Sequence, residues 1–269
     1  MQDETHESYI DDSADIPNSS DDTIDEPDDI LNEESNPVKL RTIDDVEIVV
    51  ARYNENLEWM REYPFNIFNY TVYNKGINDN FEKCNVKRII NIPNVGRCDH
   101  TYLYHIIQNY NNLAEITVFL AGSTNLPDKL KRATTILERI IKNGFNHAVF
   151  VGHFNKSILN KFKDFSLTHH RCYDDANYNL NKETELQPCL LRPYGKWYLH
   201  HFGNTNVNIY TYNSIFSMDK KDIIKHDINR YKKLIFGLSS HHNPEVGHYI
   251  ERSWGAVFHP FTHTKIVLI

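Results

Sequence analysis

Two runs constrain the fold of this chain more than any other feature: Val46-Glu47-Ile48-Val49-Val50-Ala51 and Ile116-Thr117-Val118-Phe119-Leu120-Ala121. Each is short, rich in β-branched residues and nearly all apolar, the pattern of a strand buried on both faces of a parallel sheet. Parallel neighbours need long crossovers, and helical patterns are present to supply them. Tyr102, Leu103, Ile106, Ile107 and Tyr110 recur at helical spacing, as do Leu130, Ala133, Leu137, Ile140 and Ile141. Asp99 or Thr101 is the expected cap of the first helix. Pro127 suits the first turn of the second, and Asn143-Gly144 its end. Residues 70–73 and 88–92 read as two more strands, 57–61 as a short helix and 148–151 as a fifth strand. The order predicts an α/β domain with a largely parallel central sheet flanked by helices. Ligands of such sheets bind outside the carboxyl ends of the strands.

The second half reads differently. Residues 153–205 are rich in His, Tyr and Asn and poor in periodicity. Val207, Ile209 and Thr211 alternate with polar neighbours as a two-faced strand. A helix is expected from Ser217 or Asp219, carrying Ile224, Ile228, Tyr231, Ile235 and Leu238 on one side. A last segment spans 245–258.

Charge divides the chain unevenly. Residues 1–36 hold 14 Asp and Glu and no Lys or Arg, which leaves 22 acids against all 29 bases in the remainder. The acidic stretch has little to bury and is expected to be a disordered tail over residues 1–42, with one domain over 43–269. The mildly basic remainder suits an anionic small ligand, and it lacks the dense basic stripe of a nucleic-acid binder. No run approaches the ~20 apolar residues of a membrane span. Neither a secretory signal nor a disulfide framework is expected, and four scattered cysteines fit reduced thiols in a cytoplasm. The 30 Asn residues, with abundant Ile and Lys, point to an AT-rich genome such as that of a large DNA virus or a protist, which would place the protein in host cytoplasm or a virion.

Three segments carry candidate chemistry. Ala51-Arg52-Tyr53-Asn54-Glu55 leaves a strand end and can frame a base and ribose, or stand as a solvated loop with an Arg–Glu pair. Asn94-Val95-Gly96-Arg97-Cys98-Asp99-His100 opens a helix, where free N–H groups and Arg97 favour phosphate, with Lys75 nearby in topology. It also reads as a plain helix start with an exposed Arg. In Gly247-His248-Tyr249-Ile250-Glu251-Arg252-Ser253-Trp254-Gly255, Glu251 and Trp254 share a helix face, as a general base beside a sugar-stacking ring would. The same spacing fits an amphipathic helix with a core Trp and a solvated Glu. The His pairs at 169–170, 200–201 and 241–242 lack metal-ligand spacing, and Asp174-Asp175 reads as solvated. No P-loop, dinucleotide or serine-hydrolase motif is present.

The collinear set Val49-Val50-Ala51-Arg52-Tyr53-Asn54-Glu55, Asn94-x-Gly96-Arg97, Thr101-Tyr102-Leu103-x-x-Ile106-Ile107, Val118-Phe119-Leu120-x-Gly122-Ser123 and Glu251-Arg252-x-Trp254-Gly255-x-x-Phe258 resembles a little-characterised family of glycosyltransferase-like proteins. Its members occur in fungi, bacteria and large DNA viruses and look like the GT-A class, including a chlorella virus glycosyltransferase domain. The resemblance implies a nucleotide-diphosphate sugar donor held by Ala51, Arg52, Tyr53, Asn54, Glu55, Lys75, Arg97, Asp99, Gly122 and Ser123. It implies Glu251 as base on the acceptor side, with His248 and Asp99 as substitutes, and Trp197 and Trp254 against a glycan or glycoprotein acceptor. Many GT-A enzymes carry Asp-x-Asp for Mn²⁺ or Mg²⁺ where this chain reads Ala121-Gly122-Ser123, which leaves the metal open. The expected activity is inverting sugar transfer to an acceptor hydroxyl. The alternative is a sugar-binding or scaffold protein that keeps the fold without catalysis.

Overall fold

The computed structural model describes residues 40–168 and 186–269. The expected acidic tail up to residue 39, and the His169-His170 and Asp174-Asp175 pairs, lie outside the described residues. Leu40–Ile269 is one compact unit.

The two apolar runs form the centre of the sheet. Strand β1 (Val46–Arg52) pairs in parallel with β2 (Asn69–Asn74) on one side and with β4 (Ile116–Ala121) on the other. β3 (Val86–Asn91) adds in parallel beyond β2, and β7 (Phe216–Asp219) closes the other edge antiparallel to β4. The order is β3-β2-β1-β4-β7. The alternation of strand side chains supplies two cores. Val46, Ile48, Val50, Ile116, Val118 and Leu120 pack on one face, and Val49, Ala51 and Phe119 on the other. Helix α1 (Arg97–Gln108) covers the second face with Tyr102, Leu103 and Ile106, all wholly buried. Helix α2 (Pro127–Lys142) covers the first with Ala133, Ile136, Leu137 and Ile140. As expected, Pro127 opens α2, and Gly144, with φ +64°, follows its end at Asn143.

Three expectations change. The largely parallel sheet gains one antiparallel edge, because residues 216–219 form a strand before the helix that Asp219 caps. Phe216 and Met218 alternate into the core with a period of two, and the helix follows in two pieces, α5 (Lys220–Ile224) and α6 (Ile228–Phe236). Asp219 and Asp227 cap these pieces by accepting from Lys221 and Asn229 N–H.

The fifth strand, β5 (Val149–Phe154), leaves the main sheet. It pairs with β6 (Ile209–Tyr210) and β8 (Lys265–Leu268). The Ser217 hydroxyl accepts from Val149 N–H at 2.7 Å and donates to its carbonyl at 2.9 Å, so one side chain stands where a β5–β7 ladder would run. The aperiodic region also holds two helices, α3 (Ile158–Phe162) and α4 (Tyr194–Phe202), and α7 (Glu245–Val257) fills the last segment. The expected two-faced strand shortens to β6.

Candidate active site

The chain runs from β1 outward through β2 to β3, then crosses back to β4 on the other side of β1. This reversal of strand order marks a crevice outside the carboxyl ends of β1 and β4, the place where open α/β sheets bind ligands. Tyr53, Asn54 and Glu55 form one rim. The Glu55 carboxylate folds back to accept from Tyr53 N–H at 2.7 Å and Asn54 N–H at 3.1 Å. It lies against Gly122 at the end of β4, where a Cβ would come within 2.6 Å of the carboxylate. Glycine at 122 is thus a requirement of close approach. Gly122 N–H donates to Ala51 O, and its carbonyl accepts from Trp59 Nε1.

Two bases expected to touch the donor are instead used inside the protein. Arg52 is fully buried. Its guanidinium donates to Glu55 O, Asn74 Oδ1, Asn78 O and Asn78 Oδ1 at 2.6–2.8 Å and lies over the Phe81 ring. It clamps the rim to the segment after β2 and has no face toward the crevice. Lys75 donates from Nζ to the carbonyls of Val95 and Arg97, and burial lowers its pKa to about 8. It holds the turn before α1, where Gly96 and Arg97 are both left-handed, with φ +59° and +54°. An Arg in that conformation is uncommon. Here the two carbonyls on one ammonium over-determine it.

The turn aims Arg97 along the crevice. Its side chain passes α7 at Gly247, where a Cβ would sit 3.2 Å from Arg97 Cδ, and its Nη1 donates to Asn243 Oδ1 at 3.3 Å. Gly96, not Asp99 or Thr101, is the N-cap of α1. The Asp99 side chain turns inward and accepts from Ser214 Oγ at 2.7 Å and Trp254 Nε1 at 2.8 Å. The preceding residue, Asn213, donates its N–H to Glu251 Oε1 at 2.5 Å. Asn213 and Ser214 are both left-handed, with φ +67° and +49°. One two-residue turn therefore holds both carboxyl groups. Glu251 also faces His248 Nδ1 at 3.8 Å and Arg252 Nη1 at 3.6 Å.

Burial, with the facing Glu251 carboxylate second, pushes Asp99 up to about 7, against the lowering effect of its two hydrogen bonds and of Arg97. A carboxyl raised above its unfolded value of about 3.9 stabilises the fold at low pH, and that contribution is lost as pH rises through about 7. Urea unfolding between these values should therefore show wild type losing on the order of a few kcal/mol relative to Asp99→Asn. Parallel curves for the two proteins would show that Asp99 keeps an ordinary pKa.

Sequence reasoning missed two bases on α2. Lys129 Nζ donates to Ser123 Oγ at 2.6 Å at the crevice floor. Arg132, one turn on, donates to Val151 O and Thr211 Oγ1 while sensing the Glu251 charge. The available signal was a Lys and an Arg three apart in the first turns after a strand's carboxyl end. Burial pushes the Cys98 thiol up to about 11, with the Asp99 charge adding to it and the Arg97 and Lys129 charges opposing it. Among the described residues no three His, Cys, Asp or Glu side chains are grouped to hold a metal.

The two tryptophans expected at an acceptor are core residues. Trp254 is fully buried against Phe216, Phe258 and Tyr102, and its indole N–H is spent on Asp99. Trp197 is packed among Tyr194, Phe202 and Tyr249. Neither leaves a ring face for a sugar. Asp99, with 2% exposure, lies behind the crevice wall and makes no contact surface for a donor. Glu251 and Arg97 remain partly exposed, and His248, buried, lies against Glu251.

These features define an open α/β protein with a charged crevice at its switch point. The chain belongs to the family described as protein of unknown function (DUF3431), whose model matches residues 48–265. No curated protein matches it. Among solved structures it is similar to mannose-1-phosphate geranyltransferase from Thermus thermophilus, at 9% identity and a TM-score of 0.30, over 83% of this chain and 73% of that one. Among the described residues no helix is long and apolar enough to cross a membrane.

Proposed function

We propose that this chain is a GT-A-like glycosyltransferase that moves a sugar from a nucleotide-diphosphate donor to an acceptor hydroxyl with inversion. The observation that carries this reading is the placing of Arg97 against α7 at Gly247 and Asn243, one turn before Glu251, together with Lys129 bonded to Ser123 beyond the end of β4. The rim at Tyr53–Asn54–Glu55 receives the nucleoside. Arg97 and Lys129 neutralise the departing diphosphate, since fixed cations in a water-poor cleft stabilise charge as it develops. Glu251 takes the acceptor proton while the acceptor oxygen attacks the anomeric carbon and the diphosphate leaves with the bonding pair. Mn²⁺ or Mg²⁺ could enter with the donor phosphates, and the two bases act with or without it.

Arg97→Ala should weaken nucleoside-diphosphate binding by about 1.5–3 kcal/mol, the scale of a hydrogen bond to a charged group. Calorimetry with UDP and GDP, with and without Mn²⁺, measures it. Undiminished affinity would remove Arg97 from the donor site. The second reading, a sugar-binding protein without turnover, is favoured by Ala121-Gly122-Ser123 in place of Asp-x-Asp. A donor screen by mass spectrometry separates the two, because only a transferase consumes a nucleotide sugar.

A further inference from the structure

A groove that shares no residue with the crevice runs between α4 and α6, with residues 187–191 as its third wall. We infer that it holds the acyl chain of an anionic membrane lipid, and that its rim docks on the membrane surface. The inference goes beyond the proposed transfer and does not depend on it.

The groove has a volume of about 1280 Å³. Trp197, Phe202, Leu234 and Val246 form its floor, all of them buried. His201 stands 4.8 Å from the Trp197 ring. Burial, with His200 and Lys233 beside it, lowers the His201 pKa to about 4, so this wall is uncharged at neutral pH. The rim is apolar as well. Leu190 is 101% exposed and Phe236 is 83% exposed, so two large side chains project into solvent at the mouth of an apolar groove.

Three features select the occupant. The first is that the walls offer a peptide backbone little to bond. Two are helices, whose interior main-chain groups are paired within the helix. In the third, Gln187 N–H donates to Asn243 O, and Gln187 O accepts from Glu245 N–H. Cys189 N–H donates to the Glu245 carboxylate, and Cys189 O accepts from Arg192 N–H. A hydrocarbon chain needs no such partners. The second is charge. Arg230, Lys232 and Lys233 line the groove against one acid, Asp227, whose carboxylate is engaged as the cap of α6. Arg230 is fixed by bonds from Nε and Nη2 to the carbonyls of Val257 and Ala256. This balance favours an anionic head. The third is exposure. Leu190 and Phe236 project at the same mouth that Lys232 and Lys233 line. That is the arrangement of a surface-bound protein, with apolar side chains in the headgroup boundary and bases at the phosphates.

Co-sedimentation of the full chain with phosphatidylcholine vesicles, with and without phosphatidylglycerol, tests this. Binding should require phosphatidylglycerol and weaken as salt rises. Lys232→Gln combined with Lys233→Gln should lower the partition about thirtyfold, the scale of two bases at an anionic surface. Phe236→Ser should lower it about tenfold, the scale of one apolar side chain, and Leu190→Ser reads the same rim from the other wall. Chain entry is read separately, with phosphatidylglycerol brominated on its acyl chains. It should quench the part of the tryptophan emission that Trp197→Phe removes. If that variant does not fold, a photoactivatable acyl chain should label peptides 187–202 and 228–236 of the wild type. Vesicle binding without quenching or labelling overturns the groove as the chain's site, and equal binding to both vesicles overturns the anionic head. Failure to bind either vesicle overturns the inference. A dimer in sedimentation velocity that Phe236→Ser dissociates also overturns it, because the face would then join two copies of this chain.

Discussion

Glu251→Gln should lower sugar transfer by about 10²-fold or more, the scale of a lost general base, while nucleoside-diphosphate affinity stays unchanged. The amide keeps the size of the carboxylate and can still accept from Asn213 N–H, so the 213–214 turn is preserved. What it loses is basicity. The neighbours argue that Glu251 is held for use rather than neutralised. Arg252 stands 3.6 Å away, but its Nη1 is bonded to His248 O at 2.8 Å and its guanidinium lies over Phe165 at 4.2 Å. Steady-state turnover of the donor found by screening, together with calorimetry of the matching nucleotide, gives both numbers. A fall in nucleotide affinity with unchanged turnover per bound donor would make Glu251 a binding residue. His248 would then be the next candidate base, since Asp99 lies behind the wall.

Arg52→Met should destabilise the protein by about 3–5 kcal/mol, because the neutral oxygens of Glu55, Asn74 and Asn78 lose the charged donor they share. Methionine fills the space of the side-chain stem and leaves the carbonyl of Glu55 and the side chain of Asn78 without the guanidinium that joined them. Desolvated acceptors left without a donor account for much of the loss, at about 1–3 kcal/mol each. Arg52→Lys should recover only part of it, because one ammonium cannot span acceptors that a planar fork reaches in three directions. Urea unfolding measures both variants. A loss below about 1 kcal/mol in Arg52→Met would show that the rim does not depend on this clamp. The same variant should weaken nucleotide binding, although Arg52 faces no ligand, because the rim it fixes carries Tyr53 and Glu55.

Arg52 also shows where sequence reasoning meets its limit. An Arg at a strand's carboxyl end looks the same whether it reaches out to a phosphate or back to Asn74 and Asn78. Lys75 poses the same ambiguity, and its partners are main-chain carbonyls that carry no residue signature. Glu251 and Trp254 share a helix face by spacing, yet a small rotation of α7 decides which of them meets water. The indole's bond to Asp99, 155 positions away in sequence, settles that rotation. Lys129 and Arg132 have polar partners that lie outside their own helix, at Ser123, Val151 and Thr211, so helical spacing by itself gives them no role.

The sequence by itself determined the central strands β1 and β4, the helices α1 and α2, their polar carboxyl-end loops, and the candidate roles of Arg97 and Glu251. Those features arise from burial periodicity, turn chemistry and residue type, all of which act over a few neighbouring positions. Only the tertiary structure decided that β7 runs antiparallel, that β5 joins a second sheet, that the tryptophans are core, and that Arg52 and Lys75 are clamps. Each of these depends on which distant group satisfies a buried donor or covers an apolar face. Such partners are chosen by packing across the whole unit, so no local pattern records them.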